Sequence, residues 1–167
     1  SARKYVMVDN RTNNAKAIIS SLRSTVGENI RVFRRIPVRI MGAFTEPVQP
    51  YMIEPKITEL LLENEKRKET MNPIERIARF HLEFEGIHPF IDGNGRTGRL
   101  ILNLDLIRNG YPPINIKFAD RKRYYDAFDE YYKNGGAAAM TDLVAGYVNE
   151  RLDDYLRVLE DVAENGR

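Results

Sequence analysis

The sequence lacks cysteine and tryptophan altogether over its 167 residues. The absence of cysteine excludes disulfides and thiolate-ligated zinc sites and suits a reducing compartment, so we expect a cytoplasmic protein or one delivered into a host cytoplasm. No apolar run approaches the roughly 18 residues of a membrane span, and no basic segment followed by an apolar one opens the chain, so we expect neither a membrane span nor a signal peptide. We therefore expect a protein that acts without a membrane.

The chain also lacks an excess of either charge. It carries 26 Lys and Arg against 24 Asp and Glu, a formal net charge of +2. Such a balance provides no field that attracts a polyanion, so the sequence does not favour nucleic-acid binding. With 43% hydrophobic residues, the chain is long enough for one domain with a real core.

Hydrophobic periodicity predicts a mainly α fold with one small β element. Helices are expected at residues 13–22, 54–68, 120–132 and 141–162, and another should begin at Pro73 with Asn72 before it. The intervening residues 24–29 are predicted to form a turn. Residues 30–43 place β-branched side chains between charges, which predicts two short strands or a hairpin.

The segment 88–99, His-Pro-Phe-Ile-Asp-Gly-Asn-Gly-Arg-Thr-Gly-Arg, concentrates the residues that carry chemistry. Its glycines allow positive φ and a close approach of an anion to main-chain N–H groups. The leucine-rich stretch that follows predicts a helix, whose N-terminus favours phosphate. Arg96 and Arg99 share one face of its first turn, where they can grip phosphate oxygens. The segment is therefore predicted to bind a polyphosphate.

Two further side chains of this segment could act on the bound phosphate. Asp92 is a single carboxylate beside the predicted phosphate-binding turn. A lone carboxylate is the usual protein ligand of a Mg²⁺ that takes its other ligands from water and phosphate. His88 can accept a proton near neutral pH. Each feature alone is common in loops, but their contiguity with the glycine turn and paired arginines favours function.

Residues 93–98 also satisfy G-x-G-x-x-G, the dinucleotide-binding pattern. That fold needs a buried parallel strand before the glycines. Residues 73–85 instead have helical periodicity, with His81 on the apolar face as a structural histidine and with Glu83 and Glu85 on a solvated or capping face. Since further β-α-β repeats are also missing, this alternative is rejected.

The segment 88–99 resembles the signature of the Fic domain family, H-x-F-x-[DE]-G-N-G-R-x-x-R, at every specified position. The likeness extends over the arginine-rich residues 34–40 and over residues 110–113. It implies one Fic domain over 1–167, with a core at 33–147, an N-terminal helical lead at 1–32 and a C-terminal helix end at 148–167. The implied fold is a Fic-type helical bundle with a small β-hairpin flap.

The resemblance implies transfer of AMP from ATP to a Ser, Thr or Tyr hydroxyl of a target protein, with pyrophosphate leaving. His88 would be the base, Asp92 would hold Mg²⁺, and Phe90 would anchor the loop. The implied phosphate-binding residues are Gly93, Asn94, Gly95, Arg96 and Arg99. Related Doc-like kinases carry lysine at the second glycine of this turn, so Gly95 favours nucleotidyl transfer.

Other activities stay open with the same loop. It could remove AMP from a modified protein, transfer another phosphate-containing group, or serve a non-catalytic nucleotide-binding or protein-interaction module. Intact His88 and Asp92 argue against the module, because a binder needs no base.

The resemblance also implies sites outside the motif. A flap would dock the target segment by β-strand addition, and its residues are Ile40, Met41 and Gly42; the alternative is a simple surface hairpin. An aromatic helix face would lie near the adenine, and its residues are Tyr124, Tyr125 and Phe128. Helical spacing indicates that most of this face belongs to the core.

Regulation is implied at Arg99, the second motif arginine. Many members of the family are inhibited by a glutamate from a [ST]-x-x-x-E-[GN] helix that pairs with it. Residues 24–29 match these letters, but Gly27 weakens a helix there. We therefore expect the inhibitory helix to come from a separate antitoxin chain, as in a toxin–antitoxin pair, or from an excised N-terminal segment, in preference to the third alternative, that no inhibitory helix exists. A homo-oligomer stays open.

Overall fold

The computed structural model describes residues 33–40 and 46–165. Within these ranges the chain is mainly helical, with α1 at Ile53–Arg67, α2 at Pro73–Ile87, α3 at Asn94–Arg108, α4 at Arg121–Asn134 and α5 at Ala138–Asn165. Short 3₁₀ turns, Pro50–Met52 and Phe118–Asp120, lead into α1 and α4. The helices predicted from residue 54 onward are confirmed to within about a turn. The helix predicted at 13–22 and the turn at 24–29 lie outside the described residues.

Helix α2 has clear start and stop signals. The side chain of Asn72 accepts a hydrogen bond from the N–H of Ile74 at 2.9 Å, and Pro73 occupies the first helical position, where its missing N–H costs nothing. The helix ends because His88 adopts the left-handed conformation, with φ 51°. The proposed base therefore stands at the C-terminal end of α2.

Helix α2 lies between two apolar clusters. One joins it to α3, α4 and α5 through Leu82, Leu106, Ala127, Met140 and Val144. The other joins it to α1, to α3 and to residues 88–99, called the motif segment from here on. Its members include Ile57, Leu60, Phe84, Phe90 and Ile101. Because Phe90 lies in the second cluster, the motif segment is anchored in the core.

A buried ion pair adds to the joint between the first three helices. Arg76 is 1% exposed, and its guanidinium donates to both carboxylate oxygens of Asp105, at 2.7 and 3.2 Å, and to Asn64 at 2.9 Å. A buried arginine on this apolar face is satisfied because it has a carboxylate partner.

The predicted β-hairpin is wrong for the part of it that the structure describes. Residues 33–40 and 46–49 contain no strand, whereas Met41 and Gly42 lie outside the described residues. Pro37 has no N–H for a strand ladder, and the N–H of Arg34 donates to the carbonyl of Pro89 at 2.9 Å. The segment therefore pairs with the motif segment and not with a second strand.

Helix α5 continues past the core, and none of residues 149–165 is buried. Among the described helices, none has both the length and the apolar character that crossing a membrane requires.

Candidate active site

The motif segment is closed by the side chain of Asn94, which is 2% exposed. Its Oδ1 accepts a hydrogen bond from the N–H of Phe90, and its Nδ2 donates to the carbonyl of Phe90, both at 2.8 Å. The ring of Phe90 packs into the core against Phe33, with 6.0 Å between ring centroids. Asn94 was predicted to bind phosphate; its amide is committed to the loop, so only its main-chain N–H is left for an anion.

Helix α3 starts without a side-chain cap. Its N-cap residue is Gly93, with φ 84° and no side-chain hydrogen bond. The first N–H groups of a helix have no partner within the helix, and the macrodipole adds positive charge there. The N-terminus of α3 is therefore an anion site formed by main-chain groups, with a left-handed glycine that lets an anion approach closely.

The charged side chains of the motif lie on the outer side of this turn. Asp92 is 82% exposed and Arg96 is 66% exposed, and they form an ion pair at 3.1 Å. The other oxygen of Asp92 accepts from the N–H of Gly93 at 2.7 Å. Within the described ranges, no group of three or more His, Cys, Asp or Glu is placed to hold a metal. A Mg²⁺ at Asp92 would depend on water and phosphate for its other ligands.

The second arginine folds back over the turn. A Cβ at position 95 would lie 3.2 Å from Nη1 of Arg99, so Gly95 makes room for this guanidinium. Both arginines line an open groove of about 360 Å³, and its other residues are Leu100, Leu102, Asn103, Ile114, Asn115 and Ile116. The structure thus brings Arg96 and Arg99 together at one surface, as their spacing predicts.

His88 is half-buried, and its Nδ1 lies 3.3 Å from the carbonyl of Glu85. Burial lowers the pKa of His88, the Glu85 carbonyl raises it, and the positive charge of Arg34 lowers it, for a net decrease from the ordinary value. A carbonyl can only accept, so Nδ1 carries the proton and Nε2 is free to accept one. The ring is therefore neutral at neutral pH and suited to act as a base.

Behind the motif lies a buried polar pair, His81 and Tyr124. Nε2 of His81 and the hydroxyl of Tyr124 are 2.7 Å apart, and burial lowers the pKa of His81 to about 4. This histidine is neutral and bonded, which agrees with the structural role expected of it.

Sequence reasoning misplaced Glu85. Its carboxyl is covered by α3 at Gly98: a Cβ added to Gly98 would lie 2.1 Å from Oε1 of Glu85. Burial raises the pKa of Glu85 to about 7, although the positive charge of Arg99 lowers it. The sequence carried a signal, because Glu85 continues the apolar face of α2 four residues after His81. Glu83 is on the opposite side, bonded to Arg67 at 2.6 and 2.9 Å.

The three aromatic residues predicted near the adenine have unequal exposure. Tyr124 is 8% exposed and Tyr125 is 52% exposed, while Phe128 packs edge-on against Tyr124 at 5.0 Å. The guanidinium of Arg121 lies 5.5 Å from the ring centroid of Tyr125. Of the three rings, Tyr125 offers the most surface to a ligand.

Comparison with known proteins gives one family. The sequence model of the Fic/DOC family matches residues 12–106. The chain is 41% identical over 91 residues to a protein adenylyltransferase Fic of Nematostella vectensis, covering 54% of this chain and 21% of that protein. It is 33% identical over 134 residues to a probable protein adenylyltransferase of Aquifex aeolicus, covering 80% of this chain and 39% of that protein. The chain thus spans well under half of either relative.

Solved structures agree on the fold. Fic-1 of C. elegans superposes with a TM-score of 0.73 at 27% identity, covering 88% of this chain and 44% of that one. A Fic domain containing signaling protein of Bacteroides thetaiotaomicron superposes with a TM-score of 0.59 at 23% identity, covering 84% of this chain and 65% of that one, and this likeness concerns the fold alone.

Proposed function

Because this chain belongs to the Fic/DOC family, we propose that it is a protein adenylyltransferase, which transfers AMP from ATP to a Ser, Thr or Tyr hydroxyl of a target protein. One observation carries the proposal: a neutral, half-buried histidine, an uncapped helix N-terminus and two exposed arginines occupy one short segment. The similarity to a protein adenylyltransferase of Nematostella vectensis and to a probable protein adenylyltransferase of Aquifex aeolicus supports this reaction.

The geometry of His88 supports its proposed role in proton transfer. Nε2 accepts the proton of the target hydroxyl while that oxygen forms a bond to the α-phosphorus of ATP. The bond from the α-phosphorus to the bridging oxygen breaks, and pyrophosphate leaves with the electron pair. Nδ1 keeps its proton, held by the carbonyl of Glu85, so the ring stays oriented while it becomes an imidazolium.

The phosphates are held by the N-terminus of α3 together with Arg96 and Arg99. Phosphoryl-group chemistry depends on positioning and charge neutralisation more than on covalent catalysis. The main-chain N–H groups of Asn94 and Gly95 are fixed before ATP arrives, because the side chain of Asn94 closes the loop.

Mg²⁺ would be held by Asp92 and, when bound, would neutralise part of the phosphate charge. The residue fits this role because its carboxylate is exposed and its one ion-pair partner within residues 33–40 and 46–165, Arg96, is exposed as well. As a lone carboxylate, it suits an ion that keeps several waters.

Target docking is proposed for Ile40, Met41 and Gly42, of which the structure describes Ile40. Inhibition is proposed at Arg99 by a glutamate from a separate antitoxin chain or another segment. Arg99 is exposed, so a partner could reach it.

Radiolabelled ATP tests the reaction. Wild type, His88→Ala and a surface control, Lys122→Ala, are each incubated with Mg²⁺, a cell lysate and ATP labelled at the α- or the γ-phosphorus. We expect protein-bound label from α-labelled ATP only, in wild type and Lys122→Ala, with loss of at least about 10²-fold in His88→Ala.

The other outcomes contradict the proposal in distinct ways. Label from γ-labelled ATP would indicate a kinase. Absence of label in every sample, with ATP binding intact by calorimetry, would indicate a nucleotide-binding module. Intact mass of a labelled target would show whether the added group is AMP.

A further inference from the structure

We propose that Arg34 is a positioning residue that ties the two arms flanking residues 41–45 to the backbone of His88. The leading arm is residues 33–40 and the trailing arm is residues 46–49. The inference rests on the proposed function insofar as His88 is the base, and it concerns a residue outside the motif.

One face of the Arg34 guanidinium holds the backbone around the proposed base. Its Nε donates to the carbonyl of His88 at 2.8 Å, and its Nη2 donates to the carbonyl of Ile87 at 3.4 Å. The main-chain N–H of Arg34 donates to the carbonyl of Pro89 at 2.9 Å. Three consecutive carbonyls, one on each side of His88 and its own, are therefore fixed by one residue.

The same side chain also joins the two arms. Its Nη1 donates to the carbonyl of Ile36 in the leading arm at 3.0 Å, and its Nη2 donates to the carbonyl of Val48 in the trailing arm. Only arginine offers several N–H donors in one rigid planar fork. Both arms and the proposed base are thus held at fixed positions relative to one another.

The bonds of Arg34 differ in kind from those of the other buried arginine. Arg34 is 2% exposed and Arg76 is 1% exposed. Arg76 is paired with the carboxylate of Asp105 at 2.7 Å, whereas the hydrogen-bond acceptors of the Arg34 side chain among the described residues are main-chain carbonyls. A carboxylate would neutralise the charge without fixing the backbone. Carbonyl partners fix the backbone and leave the positive charge to act on His88.

The backbone at His88 needs such a constraint. Among the described residues, His88 is the only non-glycine residue with positive φ. Residues in this region stay there only when their surroundings determine them. Without the guanidinium of Arg34, the carbonyls of Ile87 and His88 would lose these partners, and the imidazole would lose its fixed direction.

NMR titration tests the inference without any activity. The chain has two histidines, so the Cε1–H resonances of wild type, Arg34→Met, Arg34→Lys and Arg35→Met can be assigned and followed with pH. Arg35 is exposed and serves as the matched control. We expect the pKa of His88 to rise in Arg34→Met, where the positive charge is lost, and to be unchanged in Arg35→Met. His81, with a pKa near 4, is an internal reference.

Kinetics then separate positioning from general stability. In Arg34→Met we expect kcat for AMP transfer to fall by at least about tenfold, with KM for ATP unchanged because the N-terminus of α3 and its arginines are untouched. Arg34→Lys keeps the charge but not the fork, so it should keep the His88 pKa near wild type while kcat still falls. This split is not expected of a merely structural residue.

Three results would overturn the inference. The first is a wild-type titration of His88 in Arg34→Met, and the second is wild-type kcat in Arg34→Lys. The third is a pKa shift of equal size in Arg35→Met. If Arg34→Met does not fold, Arg34→Lys decides through kcat. If wild type shows no AMP transfer, the proposed function fails, while the titration of His88 still tests the contact to Arg34.

Discussion

The motif segment has two sides with opposite properties. On its inner side, Asn94 and Phe90 are buried and hydrogen-bonded to each other. On its outer side, Asp92 and Arg96 are 82% and 66% exposed and pair with each other, and Asp92 also accepts from the adjacent N–H of Gly93. Buried hydrogen bonds fix the backbone of the segment, whereas its charged side chains are exposed to solvent.

This difference teaches how the site is prepared for a highly charged substrate. Main-chain N–H groups cannot be rearranged cheaply at the moment of reaction, so they have to be in place beforehand. Exposed charged side chains cost little stability when they are unpaired, so they can remain available for a ligand. Variants on the inner side should therefore change folding and activity together, and variants on the outer side should change ligand binding alone.

Asn94→Ala should break the inner side most strongly. It leaves the buried N–H and carbonyl of Phe90 without partners, and each such group costs about 1–3 kcal/mol. We expect the free energy of unfolding to fall by about 2–6 kcal/mol, with loss of AMP transfer. Chemical denaturation followed by circular dichroism measures the first quantity.

Asn109→Ala is the matched control at the other end of α3. Asn109 is exposed and bonds to Asp105, at 2.7 Å to the carbonyl and 3.1 Å to the carboxylate, so its loss should change the unfolding free energy by at most about 0.5 kcal/mol. Equal effects of the two variants would mean that Asn94 does not close the loop.

Gly98→Ala should have a smaller effect on the same side. The added Cβ would lie 2.1 Å from Oε1 of Glu85 and 3.0 Å from Cε1 of His81. Overpacking costs about 1–3 kcal/mol, while the gain in helix propensity is about 1 kcal/mol, so we expect a net loss of up to about 2 kcal/mol. Thermal and chemical unfolding measure it.

Gly146→Ala provides the comparison, because position 146 of α5 has no atom within 4 Å of the added Cβ. That variant should be more stable than wild type by about 0.5–1 kcal/mol. The double variant Gly98→Ala with Glu85→Ala should recover part of the loss. Stabilisation by Gly98→Ala equal to that of Gly146→Ala would show that α2 and α3 do not meet tightly at this point.

The parts of the molecule that were predictable from sequence are those with local signals. Asn72 and Pro73 mark the start of α2 through a cap and a fixed φ, and the glycines of residues 93–95 mark the anion turn. The spacing of Arg96 and Arg99 places them on one face. Each of these features depends on residues within one helical turn.

The predictions that failed concern contacts between residues far apart in the chain. The carbonyl of His88 that Arg34 binds lies 54 positions away, so an arginine in a strand-like stretch gave no sign that its side chain would be buried. The N–H of Arg34 donates to Pro89 and the carbonyl of Ile36 accepts from the Arg34 side chain. These are backbone groups that the predicted hairpin would have used between its strands. Glu85 lay within reach of sequence reasoning, since it continues the apolar face of α2, but its partner surface at Gly98 belongs to another helix.

Arg96→Ala should sharpen the comparison from the outer side. The ion pair with Asp92 is exposed and contributes at most about 1 kcal/mol to stability, so the unfolding curve should stay close to that of wild type. Binding of ATP with Mg²⁺ should weaken, because a charge-assisted bond to phosphate is lost. Calorimetry measures the dissociation constant, with Arg108→Ala, an exposed arginine in the last turn of the same helix, as the control.

A large loss of stability in Arg96→Ala would mean that the outer charges also shape the loop. Equal weakening of ATP binding in Arg108→Ala would mean that only net charge attracts the nucleotide. The expected result assigns the loop's shape to Asn94 and its affinity to Arg96.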